Sequence, residues 1–271
     1  MRYEEFAPDP ALAPWVQCYA EFTVLEAPGA PYTHLVVPDG CAHVTYLRPP
    51  STPDCAIFLA GPRMTGTEHW IAGRLLCWDV KLRPHGLGLL GLDARAWVDR
   101  AAPLAAGGPE SLAGGPERLA RLARELTAGL DACDTAGEAR ASLDEALLPL
   151  LPGAAGPDAL VAEAIGAIEA SDGGEPIAEL AGRMVIGERQ LQRRFRAAVG
   201  LTPKQFARIR RFRACARNLI AERPEAWGRV ALAHGYADQA HLNREFSRLS
   251  GRSPTQLASY IARIEHGPVD V

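Results

Sequence analysis

Long apolar runs are missing from this chain of 271 residues. None approaches the roughly 18 residues needed to cross a bilayer, so no membrane partner is expected. The opening MRYEEFAPDP is acidic and has no apolar stretch, so no secretory leader is expected and the cytoplasm is the expected location. Aromatics are few, at 7%, and lysine is nearly absent, because 27 of the 29 basic residues are arginine. Six cysteines lie far apart, at Cys18, Cys41, Cys55, Cys77, Cys133 and Cys215. Their spacing suits neither a disulfide framework nor a paired zinc site, so buried thiols are expected. The chain carries no G-x-S-x-G, H-E-x-x-H or P-loop. GLGLLG (86–91) fits the dinucleotide fingerprint, but a Gly/Pro-rich stretch follows where a helix and a second strand are required, so it reads as a turn. Neither enzymatic activity nor a cofactor is expected.

Hydrophobic residues at 48% and charged residues at 23% describe a globular chain, with length for about two domains. The net charge of -3 hides a division. Residues 1–171 carry 12 basic and 22 acidic side chains, whereas residues 172–271 carry 17 basic and 10 acidic. The segment 183–217 alone holds 11 basic residues and one acid, Glu188. Charge divided in this way within one chain points to a polyanion partner for the C-terminal half.

The first hundred residues alternate with period two. VQCYAEFTVL (16–25), AHVTYL (42–47) and LLCWDVKLR (75–83) each present one apolar face, and THLVVP (33–38) and AIFLAG (56–61) are shorter apolar runs. Pro28-Gly29, Pro38-Asp39-Gly40, Pro49-Pro50 and Gly61-Pro62 punctuate them, which predicts a small antiparallel barrel or sandwich. A short helix is predicted at 93–99, then a Gly/Pro-rich connector at 101–116, then amphipathic helices over 117–130 and 138–151. Leu119, Leu122, Leu126 and Leu130 form a stripe that suits either a dimer seam or packing on the chain's own barrel.

The last hundred residues contain a repeat. At an offset of 51, Leu191 meets Leu242, Arg193 meets Arg244, Phe195 meets Phe246, Gly200 meets Gly251, Pro203 meets Pro254 and Gln205 meets Gln256. Each copy reads as a short helix (Ile177–Met184; Trp227–His234), a tight turn and a second helix (Glu188–Val199; Asp238–Ser250). Gly200 and Gly251 stand where the helix stops, and Thr202-Pro203 and Ser253-Pro254 start the next. This is the helix-turn-helix order, in which the second helix enters the major groove. With the Leu/Phe pairs inward, the outward positions include Arg189, Gln192, Arg193 and Arg196, then Gln239, Ala240, Asn243 and Arg244. Arginine pairs with guanine edges, and asparagine or glutamine with adenine edges. Segment 203–222 reads as one helix about 28 Å long, stiff enough to hold two reading helices roughly one DNA turn apart. Its outer arginines, Arg208, Arg210, Arg211, Arg213 and Arg217, include candidate phosphate contacts.

GYADQAHLNREFSRLSGRSPTQL (235–257) and LAGRMVIGERQLQRRFRAAVGLTPKQF (180–206) together resemble the DNA-binding module of the AraC/XylS transcriptional regulators. The resemblance covers about 95 residues and implies a seven-helix module that binds double-stranded DNA and acts near RNA polymerase. It places the base-contacting positions on Arg189, Gln192, Arg193, Gln239, Ala240, Asn243 and Arg244, with His241 beside them; Arg196 and Arg248 on the same helices complete the expected DNA-binding set. Two positions depart from the family pattern: Val185 stands where the first turn usually has glycine, and Ala240 is too small to read a base by hydrogen bonding. PDGCAHVTYL, the Gly61-Pro62-Arg63 turn and the strand ending KLRPHG resemble the sensor domains of one branch of the family. That implies a cupin-like barrel for a small-molecule effector, with helices for a homodimer. His34, His43, Tyr46 and Trp78, by their chemistry and position on the strands, are the candidate ligand residues.

The expected fold class is α+β multidomain: a cupin-like antiparallel barrel with helices, then an all-α double helix-turn-helix. The expected domains are 1–105 for the sensor, 106–156 for a helical dimerisation or linker region, and 157–271 for DNA binding. Two alternatives stand beside a DNA-binding regulator. One is a metal-dependent cupin-type enzyme fused to a DNA-binding tail, using His34, Cys41 and His43. The other is a protein whose barrel only dimerises or docks polymerase.

Overall fold

A computed structural model describes residues 2–24, 32–48, 56–71, 74–104, 116–221 and 227–263. Cys55, the Pro28-Gly29 and Pro49-Pro50 turns and most of the Gly/Pro connector lie outside the described residues. The strands are β1 (Arg2–Phe6), β2 (Val16–Val24), β3 (Tyr32–Val36), β4 (His43–Arg48), β5 (Ala56–Ala60), β6 (Thr67–Ile71), β7 (Leu75–Leu82) and β8 (Ala101–Pro103). The helices are α1 (Pro116–Asp131), α2 (Ala136–Leu147), α3 (Ala159–Ala170), α4 (Ile177–Arg183), α5 (Glu188–Val199), α6 (Pro203–Ala221), α7 (Trp227–Ala233), α8 (Gln239–Ser250) and α9 (Pro254–Arg263).

Six strands form one antiparallel sheet in the order β1-β2-β7-β4-β5-β8, and β3 pairs with β6 as a separate ribbon. The antiparallel β architecture is as expected, but the expected barrel is not closed among the described residues. Both outer strands discourage further pairing. β1 carries Arg2, Glu4 and Glu5 along an edge, and β8 is three residues long and ends at Pro103, which has no N–H to give. GLGLLG does not open an α-helix: Gly86–Gly88 is a single 3-10 turn. A Cβ on Gly86 would lie 2.6 Å from the Trp15 carbonyl oxygen, so the glycine serves close packing.

Paired residues share a sheet face, which separates the two sides of the large sheet. Val44 pairs with Val80 and Leu59, and Tyr46 with Trp78 and Ile57. This face is fully buried and forms one core with Leu119, Leu122, Leu126, Leu130, Leu143 and Leu147. The α1 stripe therefore packs on the chain's own sheet, the second of the two roles expected for it. Two part-buried ties fix the cover. Tyr19 donates to Asp144 at 2.7 Å, and the Tyr46 hydroxyl donates to Asp131 at the end of α1. Desolvation and the Asp144 carboxylate push the Tyr19 phenol far above its ordinary value.

A second core belongs to the helices α3–α9, and it takes in Leu35 and Val37 from the β3 side. The two parts meet at named contacts. Gly66 N–H donates to the Leu249 carbonyl at 2.6 Å, Leu35 N–H donates to the Tyr260 hydroxyl at 2.6 Å, and Arg252 pairs with Glu68 at 2.6 Å. Among the described residues no helix is long and apolar enough to cross a membrane.

Candidate nucleic-acid interface

Each repeat folds by the same local rules. α4 ends with Val185 N–H donating to Gly182 and Ile186 N–H to Ala181. α7 ends with Gly235 N–H donating to Leu232 and Tyr236 N–H to Ala231. Both turns place their pivot in the left-handed region, with Gly235 at φ 70° and Val185 at φ 53°. A β-branched residue is strained there. The turns differ in length by one residue, and the longer one ends at Asp238, whose carboxylate accepts from His241 N–H at 2.6 Å and caps α8. Gly187 precedes α5 with no side-chain cap.

Leu191, Phe195, Leu242 and Phe246 are buried, as their spacing predicts. α6 is a shared spine: Phe206 packs on Phe195 with ring centroids 5.7 Å apart, and Phe212 packs on Phe246 at 4.8 Å. The duplicated Gln205 and Gln256 have a physical reason that sequence reading missed. Thr202 and Ser253 side chains accept from the N–H groups of Gln205 and Gln256, while those glutamines accept from the Thr202 and Ser253 N–H groups. These are reciprocal capping boxes starting α6 and α9, and the Thr/Ser-Pro-x-Gln pattern was the signal for them.

Apart from Arg229 on α7, which is exposed with no partner among the described residues, most arginines of the helical region fall into two groups. Arg183 pairs with Glu175 at 2.8 Å, Arg194 with Asp158 at 2.6 Å, and Arg208 with Glu245 at 2.8 Å. Arg210 reaches Glu169 at 3.7 Å, Arg217 reaches Asp172 at 3.5 Å, and Arg211 donates to the Gly173 carbonyl at 2.8 Å. Arg213 is buried at 5% exposure. The α6 arginines that include the candidate phosphate contacts thus have partners within the protein, with Arg217 still half exposed. By contrast, Arg189, Arg193 and Arg196 on α5 and Arg244 and Arg248 on α8 are exposed, with no ion-pair or hydrogen-bond partner among the described residues. Gln239, Ala240 and Asn243 are exposed beside them. Gln192 is exposed but donates to Glu188 at 3.1 Å. His241 is half-buried; its ring packs edge-on against Tyr236 at 5.4 Å, and its Nδ1 accepts from Ala237 N–H at 3.3 Å.

The four candidate ligand residues are not brought together. Tyr46 and Trp78 are cross-strand partners inside the core under α1, at 2% and 4% exposure. His43 lies on the opposite sheet face. His34, on β3, packs against Phe22 of that same opposite face at 5.3 Å, and its Nδ1 lies 3.4 Å from the Tyr260 hydroxyl. Burial, with His69 opposite on β6, lowers the His34 pKa. His43 sits between two carboxylates, with Nδ1 2.7 Å from Asp79 and Nε2 3.2 Å from Asp39. Lys81 reaches the same Asp39 at 3.1 Å, and Thr45 donates to Asp79 at 2.6 Å. Burial disfavours charge on His43, but Asp79 and Asp39 more than reverse this and raise its pKa to about 10. Burial likewise opposes ionisation of Asp39, yet His43 and Lys81, helped by Arg213 of α6, hold it well below the carboxylate range. Both His43 nitrogens are spent on carboxylates, which leaves none for a metal.

Comparison with known proteins agrees with the geometry of the repeat. Residues 180–259 match the family model HTH_18, described as a helix-turn-helix domain, and residues 4–103 match a domain of unknown function, DUF6597. The C-terminal part of the chain is a helix-turn-helix domain of the AraC type. A relative described as the probable transcriptional regulator LumQ of Photobacterium leiognathi is 33% identical over 85 residues, which is 31% of this chain and 34% of that protein. The match thus spans about a third of the relative's length. Among solved structures, ToxT of Vibrio cholerae O395 overlaps 88% of this chain and 97% of its own, at 10% identity and a TM-score of 0.45. The unsaturated fatty acid bound ToxT of Vibrio cholerae strain SCE256 overlaps 88% and 93%, at 9% identity and a TM-score of 0.41. Likeness at that level defines no property of this chain.

Proposed function

We propose that this protein is a sequence-specific, DNA-binding transcription regulator whose α5 and α8 read successive major grooves of double-stranded DNA. One observation carries the reading. The arginines on the outward faces of α5 and α8 are exposed and unpaired among the described residues, as is Arg229 on α7, while Arg183, Arg194, Arg208, Arg210, Arg211, Arg213 and Arg217 are engaged within the protein or buried. A cation left without an internal partner is available for phosphate or a guanine edge. Arg189, Arg193, Arg196, Arg244 and Arg248 supply the charge, with Gln192, Gln239 and Asn243 as adenine-edge readers. His241 has a packing role as well. Ala240 contributes only apolar contact, so the second helix leans on Gln239, Asn243 and Arg244.

The sensor role belongs to the same proposal. The half-exposed face of the sheet, with His43, Thr45, Cys77 and Asp79 near its centre and Phe22 and Phe58 beside them, is a surface for a small-molecule effector. Residues 157–271 would act as the DNA-binding part, with RNA polymerase as its partner on DNA. A homodimer would need a surface other than the buried α1 stripe. The test is selection of duplexes from a random pool by the full chain. The expected winners carry two unlike half-motifs about 10 base pairs apart, centre to centre. A pool with no enriched sequence defeats the proposal.

A further inference from the structure

The seam between the sheet region and the first helix of the helical region holds a cavity of about 270 Å³. One wall is Ala13, Pro14, Arg83, Pro84 and His85, from the segments flanking β2 and β7. These segments are tied together: Arg83 Nε donates to the Ala13 carbonyl at 2.6 Å, Arg83 N–H donates to Trp15 at 2.8 Å, and His85 Nε2 lies 2.9 Å from the Pro14 carbonyl. The facing wall is Pro157 and, on α3, Ala162, Ile165, Gly166 and Glu169.

Three features give the cavity a chemical character. Arg83 is exposed, and only its Nε is hydrogen-bonded among the described residues, so its terminal nitrogens can receive a carboxylate. Glu169, across the cavity, pairs with Arg210 at 3.7 Å and acts on His85 across the gap, and its second carboxylate oxygen can receive an ammonium. Between them the lining is proline, alanine and isoleucine. His85 is 8% exposed and its Nδ1 is buried without a hydrogen-bond partner. Because Nε2 donates to Pro14, a neutral His85 holds Nδ1 as an acceptor that a small shift of the ring would offer to a ligand N–H. Gly166 keeps the rim open, because a Cβ there would meet nothing within 4 Å.

We propose that this seam binds a small apolar α-amino acid as a zwitterion, with its carboxylate on Arg83, its ammonium on Glu169 and its aliphatic side chain on the proline-lined floor. The volume suits a metabolite of that size and falls below the usual range for larger ligands. The ligand would bridge the sheet region and α3. Any effect on DNA binding rests on the function proposed above, whereas binding itself does not.

Calorimetry on the full chain tests this. The probes are L-valine, L-leucine, L-isoleucine and L-proline, with isobutylamine and isobutyrate as half-ligands. At least one amino acid is expected to bind about tenfold or more tightly than either half-ligand. Gly166→Leu fills the cavity rim and is expected to abolish binding while the chain still melts cooperatively. Glu169→Gln, a change at a half-buried side chain, is expected to reduce affinity to that of isobutyrate, and it stands as the test if Gly166→Leu fails to fold. No binding by any of the four amino acids overturns the proposal. So does equal binding by the half-ligands, or binding undiminished in both variants. Each of these outcomes leaves selection of DNA sequence unaffected.

Discussion

Gly40 lies against the ring of Phe206, so closely that a Cβ would stand 2.6 Å from two ring carbons, and its φ of 82° is left-handed. The Pro38-Asp39-Gly40 turn of the sheet region is thereby pressed onto α6, the spine between the two helix-turn-helix units. The adjoining Asp39 ties that turn to His43 and Lys81 of the sheet. Gly40→Ala should therefore destabilise the chain by about 2–4 kcal/mol, from backbone strain plus overpacking. Urea denaturation reads this directly. A loss near 1 kcal/mol would mean that the turn and α6 separate easily in solution.

Arg193 and Arg194 are neighbours with opposite situations. Arg193→Ala should cost about 1–3 kcal/mol of binding to the selected site and relax one base position. Arg194→Ala should leave specificity intact and lower stability slightly, by removing the Asp158 pair, which is partly exposed. Fluorescence anisotropy on a panel of single-base variants separates the two. Equal loss on every sequence would reassign Arg193 to phosphate.

Salt should weaken DNA binding steeply. If about five exposed arginines meet phosphate, log K should fall against log salt with a slope of about −4.5. A slope shallower than about −2 would contradict the assignment of α5 and α8 as the charged contact surface.

Val185 is 93% exposed and holds a left-handed backbone that its repeat partner Gly235 adopts freely. Val185→Gly should therefore stabilise the protein by about 1 kcal/mol, since strain is relieved and no buried surface is lost. An unchanged or lower urea midpoint would show that the turn relaxes away from this geometry.

The His43 cluster predicts an alkaline weakness. His43 titrates near 10 in the fold, above its ordinary value near 6.5, because its partners favour the charged form. That contribution is complete below about pH 6.5 and is lost as pH rises towards 10. With 23% of the side chain open to solvent, the loss should be about 2 kcal/mol rather than the full value of the shift. His43→Gln should flatten stability between pH 7 and 10, as measured by thermal unfolding. Asp39 acts oppositely: its contribution is present above about pH 4 and is lost as pH falls further.

The sequence by itself determined what depends on neighbours along the chain. The duplicated helix-turn-helix, the buried Leu/Phe pairs, the left-handed Gly200 and Gly251, and five of the strands were legible, because periodicity and capping act within a few residues. β1, β6 and β8 were missed, since these short strands carry little apolar alternation and owe their order to the strands beside them. Only the tertiary structure decided which arginines are spent and which remain free. Arg194 meets Asp158 across 36 residues and Arg208 meets Glu245 across 37, and no spacing rule reports such pairs. The same holds for Tyr46 and Trp78, which β-alternation places on a face but only packing against α1 removes from solvent. An ion pair or a buried face is a property of surfaces brought together, and that depends on the whole chain being folded.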